Sequence, residues 1–113
     1  MNRSEFYTIK GSTADGDIVS ESMNAEFERG YISVVFYTDS TLSTLVTPTA
    51  GTITFTASES GTGYGTIKNG AVDATIEAYD RPHFSGYVTR VKATCSGVTG
   101  AGYYVATVAR FGG

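Results

Sequence analysis

Apolar and polar residues alternate along most of the chain, in short segments separated by Gly, Asn, Asp and Pro. The alternation is clearest over Gly51–Ser58, where Ile53, Phe55 and Ala57 are separated by threonines. In a β-strand, successive side chains point to opposite faces, so this pattern predicts a strand with one buried face. Roughly seven to nine such segments, cut by turn residues, predict an all-β chain.

Other segments with the same period are also predicted to be strands. They are Phe6–Lys10, Ile18–Glu21, Tyr31–Tyr37, and the two arms of a long closing hairpin, Phe84–Cys95 and Ala101–Phe111. The segment Tyr31–Tyr37 is apolar almost throughout, which predicts burial on both faces by a second sheet or by a neighbouring subunit. In the first hairpin arm, Val91, Ala93 and Cys95 are expected to face the core.

Turn residues set the expected connections between these strands. Asn69-Gly70 lies between two alternating segments, which is typical of a two-residue type I′ hairpin. Residues Ser96–Gly100 supply the expected turn of the closing hairpin. Only Ser20–Arg29 has a helical pattern, and a short helix there is one of two interpretations.

The predicted fold is an antiparallel β-sandwich with Greek-key or jelly-roll connections and at most one short helix. A length of 113 residues is typical of one domain, so residues 1–113 are expected to share one core. Residues 1–10 form either the first strand or an arm that docks on another protein by adding a strand to its sheet.

The charge and the lengths of the apolar runs argue against several classes of function. The net charge is −3, and the eight Lys and Arg residues are scattered, whereas duplex nucleic acid requires clustered cations. No apolar run reaches the roughly 18–20 residues of a membrane-spanning helix. The first residues, MNRSEFYTIKG, have no apolar core of a signal peptide, so synthesis and folding in the producing cell's cytoplasm are expected.

The residues that could support catalysis are sparse. His83 is the one histidine and lies beside Pro82 in a predicted turn, so a solvated or structural histidine is expected there, and Cys95, the one cysteine, is expected to be a small core residue. Asp73 and Glu77 fall on the same face of one predicted segment, and Asp80 follows, but an acidic solvent face explains them. Asp15-Gly16-Asp17 lacks the further ligands of a calcium loop. We expect no enzyme, no metal site and no cofactor.

Aromatic residues are the remaining candidates for function. The chain has eight Tyr, six Phe and no Trp, and tyrosine suits protein interfaces, whereas carbohydrate modules usually stack sugars on Trp. Tyr103 and Tyr104 are adjacent in a strand, so one of them must point away from the core. The residues predicted to bind a partner are Arg3, Phe6, Tyr7, Tyr103 and Tyr104.

Two stretches carry a resemblance to a known group. FSGYVTRVKATCSGVTGAGYYVATVAR (84–110) resembles the closing hairpin of small structural proteins of tailed bacteriophages. TAGTITFTASESGTGYGTIKNGAVDAT (49–75) is similar to the strand, Gly-rich loop and hairpin that precede it in that group. The likeness rests on the pattern of strands and turns over about residues 50–110, and it does not extend to residues 1–30.

The resemblance implies a virion structural protein, assembled in the host bacterial cytoplasm. The leading hypothesis is a capsid decoration (cement) protein that binds the major capsid protein on the outer head surface, as a homotrimer. The alternative within the virion is a tail, baseplate or fibre component that binds another virion protein or a glycan. A free carbohydrate-binding domain and an enzyme are the competing hypotheses from other classes.

Overall fold

Nine β-strands make up the regular structure of the computed structural model, which describes residues 4–76 and 81–112. They are β1 (Ser4–Ser12), β2 (Asp17–Val19), β3 (Arg29–Tyr37), β4 (Leu45–Val46), β5 (Ala50–Ser58), β6 (Gly65–Asp73), β7 (His83–Ser85), β8 (Arg90–Thr99) and β9 (Tyr103–Phe111). The all-β prediction is confirmed. In this part of the chain no helix forms, and residues 20–28 run as an irregular segment.

All strand pairs are antiparallel, and they form one sheet in the order β1-β9-β3-β7-β6-β5-β8-β2, with β4 paired to β3. The two ends of this order, β1 and β2, are consecutive in sequence and lie in contact. The sheet therefore nearly closes on itself and is barrel-like. The two packed sheets expected of a sandwich are here two halves of one sheet. The first half is built on β1, β9 and β3, and the second on β5, β8, β6 and β2.

The hydrophobic core lies between the two halves. Alternate residues of the long strands point into it, as the period of two predicts. From the first half come Ile9, Ile32, Phe36, Tyr104, Ala106 and Val108, and from the second Ile53, Phe55, Ala57, Val91 and Ala93. Met23 and Phe27, from the irregular segment, are also buried. A helix is therefore not needed to place these two side chains in the interior.

The predicted closing hairpin is wrong. Strand β9 pairs with β1 and β3, whereas β8 pairs with β5 and β2, so the two arms belong to opposite halves of the sheet. The first arm is also divided, because β7 ends at Ser85 and β8 begins at Arg90. Strand β8 continues to Thr99, and the chain crosses between the halves around Gly100.

The predicted Asn69-Gly70 hairpin is also wrong, because β6 runs through both residues as one strand. Asn69 has a positive φ of 54°, as a turn residue would, but the chain bulges there instead of reversing. A Cβ on Gly70 would lie 2.6 Å from the Phe55 carbonyl oxygen. The glycine is thus required for close approach to the neighbouring strand, and not for a turn.

A fully buried arginine, Arg110, joins the irregular segment to the sheet. Arg110 lies near the end of β9, and its guanidinium donates hydrogen bonds to the main-chain carbonyls of Phe27, Arg29, Gly86 and Val88. The carbonyls come from two stretches, residues 27–29 at the beginning of β3 and residues 86–88 between β7 and β8. Desolvation in this setting lowers the Arg110 pKa. The side chain holds both stretches against β9.

Replacing Gly51 by alanine should destabilise the protein by about 2–3 kcal/mol. Gly51 has a φ of +112°, and a Cβ there would lie 2.4 Å from the Val98 Cα, which is main chain and cannot rotate away. The same substitution at Gly63, where a Cβ would meet nothing within 4 Å, is the control. Urea unfolding followed by tyrosine fluorescence measures both. Equal midpoints for the two variants would contradict the packing described at Gly51.

Candidate protein-docking face

The outward residues of β1, β9 and β3 form a continuous surface on one side of the molecule. The register aligns them in rows across the three strands, so that Phe6, Ala109 and Tyr31 lie side by side. We call this surface the aromatic face. Its apolar members are Phe6, Tyr31, Val35, Tyr37, Tyr103, Val105, Ala109 and Phe111, and its polar members are Ser4, Thr8, Lys10, Ser12, Arg29, Ser33 and Thr107.

Large apolar side chains on the aromatic face are exposed. Phe6 is 68% exposed, Tyr31 46% and Val35 43%. Tyr31 packs between two rings, with its centroid 5.6 Å from that of Phe111 and 5.7 Å from that of His83 on β7. Nine residues of strand extend roughly 30 Å, and the apolar side chains lie along this length in two groups, separated by the row of Thr8, Thr107 and Ser33. Exposed apolar strips of this kind mark interaction sites more often than single exposed residues do.

The aromatic face carries positive charge only. Lys10 and Arg29 are its charged residues, and the outward positions of the three strands include no carboxylate. Beyond the edge, Lys68 of β6 pairs with His83 and adds a third cation. The whole chain has a net charge of −3, so this side differs in sign from the average of the protein.

The outer surface of the other half has different chemistry. Thr52, Thr54 and Thr56 of β5 alternate with the core residues, and the register places Thr94 and Lys92 of β8 beside them. Hydroxyl groups and charges cover this side, and Lys92 lies 3.8 Å from the Asp17 carboxylate. The aromatic face exposes large apolar side chains, whereas this surface exposes hydroxyl and charged groups. The aromatic face is therefore the better candidate for a docking site.

The predicted partner-binding residues do not all lie on one surface. Phe6 and Tyr103 both lie on the aromatic face, three rows apart. Tyr7 points to the other side of β1, where its hydroxyl accepts a hydrogen bond from the Asn24 main-chain N–H and donates to Glu5. Arg3 lies outside the described residues.

Tyr104 corrects the prediction for the tyrosine pair. It is fully buried, its ring lies 6.4 Å from that of Phe36, and burial raises its pKa to about 12. It therefore belongs to the core and offers no surface to a partner, whereas Tyr103 points outward. Alternation alone requires this division but does not say which tyrosine takes which side.

Sequence reasoning missed Tyr31 and Phe111 as members of the face. Tyr31–Tyr37 was predicted to be buried on both faces, yet Tyr31 and Val35 remain substantially exposed in the isolated chain. The second half of the sheet therefore covers only the inner side of β3. The other predicted cover, a neighbouring subunit, stays a prediction, and the apolar outward positions of β3 were its signal.

The residues considered for catalysis or metal binding are dispersed. His83 Nδ1 lies 3.0 Å from the Arg81 carbonyl oxygen, and Asp73 accepts hydrogen bonds from the Thr75 N–H and hydroxyl, which lower the Asp73 pKa. Glu77 and Asp80 lie outside the described residues. Over residues 4–76 and 81–112, no three His, Cys, Asp or Glu side chains converge on a possible metal site.

Cys95 should react slowly with thiol reagents. It packs against the core, as predicted, and burial raises its pKa to about 11, so little thiolate is present at pH 8. We expect modification by a disulfide reagent at pH 8 to be at least tenfold slower in the native protein than in urea, where the pKa returns to about 8.5. Equal rates in both conditions would contradict this burial.

Fold and surface together define an all-β protein with a nearly closed antiparallel sheet and one apolar outer face. Residues 10–111 match the family described as a domain of unknown function, DUF7265, and the chain belongs to that family. A search of curated proteins finds no match. None of the described residues forms a helix long and apolar enough to span a membrane.

Two solved structures match the chain over most of its length. The SPBc2 prophage-derived protein YomS superposes with a TM-score of 0.62 at 12% identity, over 99% of this chain and 96% of that chain. A protein of the Bacillus endospore appendages, which form a novel family of disulfide-linked pili, gives a TM-score of 0.49 at 9% identity, over 97% and 88% of the two chains. At 12% identity the likeness to YomS shows a shared fold.

Proposed function

We propose that this chain is a non-enzymatic structural protein of a phage-related particle and that it binds another particle protein through the aromatic face. The observation that carries the proposal is the exposed apolar strip of β1, β9 and β3, centred on Phe6 and Tyr31. Such a strip gains free energy when a partner covers it, at about 25 cal/mol per Å² of apolar surface. Aromatic side chains such as Phe6 and Tyr31 are enriched at protein–protein interfaces.

The finer proposal is a capsid decoration protein on the outer surface of the head. The resemblance of residues 50–110 to small structural proteins of tailed phages supports it, and so does the fold shared with a prophage-derived protein. A decoration protein stabilises a preformed lattice by binding at many copies, and this requires a docking surface but no catalytic group. A trimer of this chain would contact three capsid subunits at once and gain affinity by multivalency.

Binding to emptied heads of the phage that encodes the chain tests this function. We expect saturable binding at many copies per head, measured by light scattering and sedimentation, and bound heads that resist heating better than bare ones. Binding only to purified tails, at a few copies, would instead support a tail, baseplate or fibre component. Absence of binding to heads and tails would contradict the proposed function.

A further inference from the structure

An open cleft of about 530 Å³ adjoins the aromatic face where β7 meets β6. Its wall on the side of the face is formed by Tyr31 and His83, whose rings stack 5.7 Å apart. Arg29 and Lys68 line the same cleft, from β3 and β6 respectively. The aromatic face and the cleft share residues, so one partner could cover both.

The charges of the cleft are unbalanced. Arg29 and Lys68 are cations, and Glu59 is its one acidic lining residue. The Glu59 carboxylate is directed toward Gly86, where a Cβ would lie 3.5 Å from Glu59 Oε1. Within residues 4–76 and 81–112, neither Arg29 nor Lys68 makes an ion pair with a carboxylate. Both cations can therefore bind an external anion.

We propose that this cleft binds carboxylate side chains of the partner protein, so that the partner's matching surface is acidic next to an apolar strip. This inference rests on the proposed function and adds the chemistry of the partner. Arg29 can bind a carboxylate through two parallel hydrogen bonds, and Lys68 adds a second charge. The stacked Tyr31–His83 pair supplies an apolar wall for the methylene groups of a Glu side chain.

The surroundings of the cleft favour an acidic protein over other occupants. A second copy of this chain, face to face, would bring Lys10, Arg29 and Lys68 of both copies together without a carboxylate on either face. Nucleic acid binding relies on many phosphate contacts, and three cations along this side are few for that purpose. The row next to the cleft consists of Phe6, Ala109 and Tyr31, and such apolar side chains suit a protein partner better than a polar glycan.

A titration with a capped hexaglutamate peptide, followed by NMR of the labelled full chain, tests the cleft. We expect saturable shifts confined to the amides around Arg29, Tyr31, Lys68 and His83, weakening as salt increases. The double variant Arg29→Gln/Lys68→Gln should weaken binding about tenfold. The single variant Lys92→Gln, on the opposite outer surface, is the control for charge and should bind as the wild type does.

Hexaglutamine peptide, inorganic phosphate, a sulfated oligosaccharide and oligothymidine are titrated in parallel. If any of these binds more tightly than hexaglutamate, the inference is overturned and the cleft is a site for that ligand. An unchanged affinity of the double variant for hexaglutamate would also overturn the inference. The proposed function is judged separately. If the double variant still binds heads with wild-type affinity and salt dependence, the cleft inference fails while head binding stands.

Discussion

Arg110→Met should destabilise the protein by about 3–5 kcal/mol, the largest effect expected of any single substitution described here. The guanidinium is fully buried and satisfies main-chain carbonyls of Phe27, Arg29, Gly86 and Val88. Methionine fills much of the same volume but donates no hydrogen bond. The carbonyls would have to find water, which requires residues 27–29 and 86–88 to move away from β9.

Urea unfolding measures the loss, and Arg81→Met serves as the control because Arg81 is exposed. Arg110→Lys separates charge from geometry. One ammonium group cannot reach all the carbonyls that the planar guanidinium reaches. The free energy of unfolding of this variant should therefore also fall, by more than about 2 kcal/mol. If Arg110→Met unfolds at the same urea concentration as Arg81→Met, the role assigned to the buried guanidinium is wrong.

The double variant Phe6→Ser/Tyr31→Ser should weaken binding to phage heads by about 30-fold or more. Both side chains are exposed and lie in the same row of the aromatic face, where they would be covered by a partner. Truncating one well-covered aromatic residue at an interface commonly costs about 1–2 kcal/mol, and two such losses give this ratio. Quantitative sedimentation of labelled protein with emptied heads measures it.

A matched control removes two side chains from the other half of the sheet. Val19 is 45% exposed and Tyr64 packs under Lys92 on the opposite outer surface, so Val19→Ser/Tyr64→Ser changes similar chemistry away from the face. It should bind heads as the wild type does. Thermal unfolding of both double variants checks that folding is retained. Equal loss of binding in the two variants would show that the aromatic face is not the docking surface.

The alternation of apolar and polar residues predicted correctly which residues of the long strands are buried. It could not predict which strands pair with each other. Ile53, Phe55, Val91 and Ala93 are buried as expected, because alternation is a local property that one buried face imposes. Which strand pairs with which depends on contacts between distant segments. The closing hairpin was predicted from adjacency in sequence, and the structure separates β8 and β9 to opposite halves of the sheet.

The Asn69-Gly70 pair shows how tertiary packing overrides a local signal. The dipeptide provides the positive φ that a tight turn needs, but the sheet uses it for a bulge in β6. Nothing in the neighbouring sequence distinguishes a turn from a bulge. The deciding contact is the Phe55 carbonyl, which is 2.6 Å from where a Gly70 Cβ would lie.

The docking face was predictable in part. An outward aromatic residue at Tyr103 or Tyr104 follows from alternation, and the structure assigns that place to Tyr103. Phe6 was predicted to lie either on a docking arm or on the first strand, and it lies in β1, paired with β9. The face as a whole could not be predicted, because Tyr31 and Phe6 become neighbours only through the position of β9 between them.

Hydroxyl-radical footprinting of the protein bound to emptied heads reports which aromatic side chains the partner covers. We expect oxidation of Phe6, Tyr31 and Tyr103 to fall severalfold on binding, whereas oxidation of Tyr64 on the opposite half is unchanged. Protection of Tyr64 with undiminished oxidation of Phe6 and Tyr31 would contradict docking through the aromatic face, because the partner would then cover the threonine-rich surface instead.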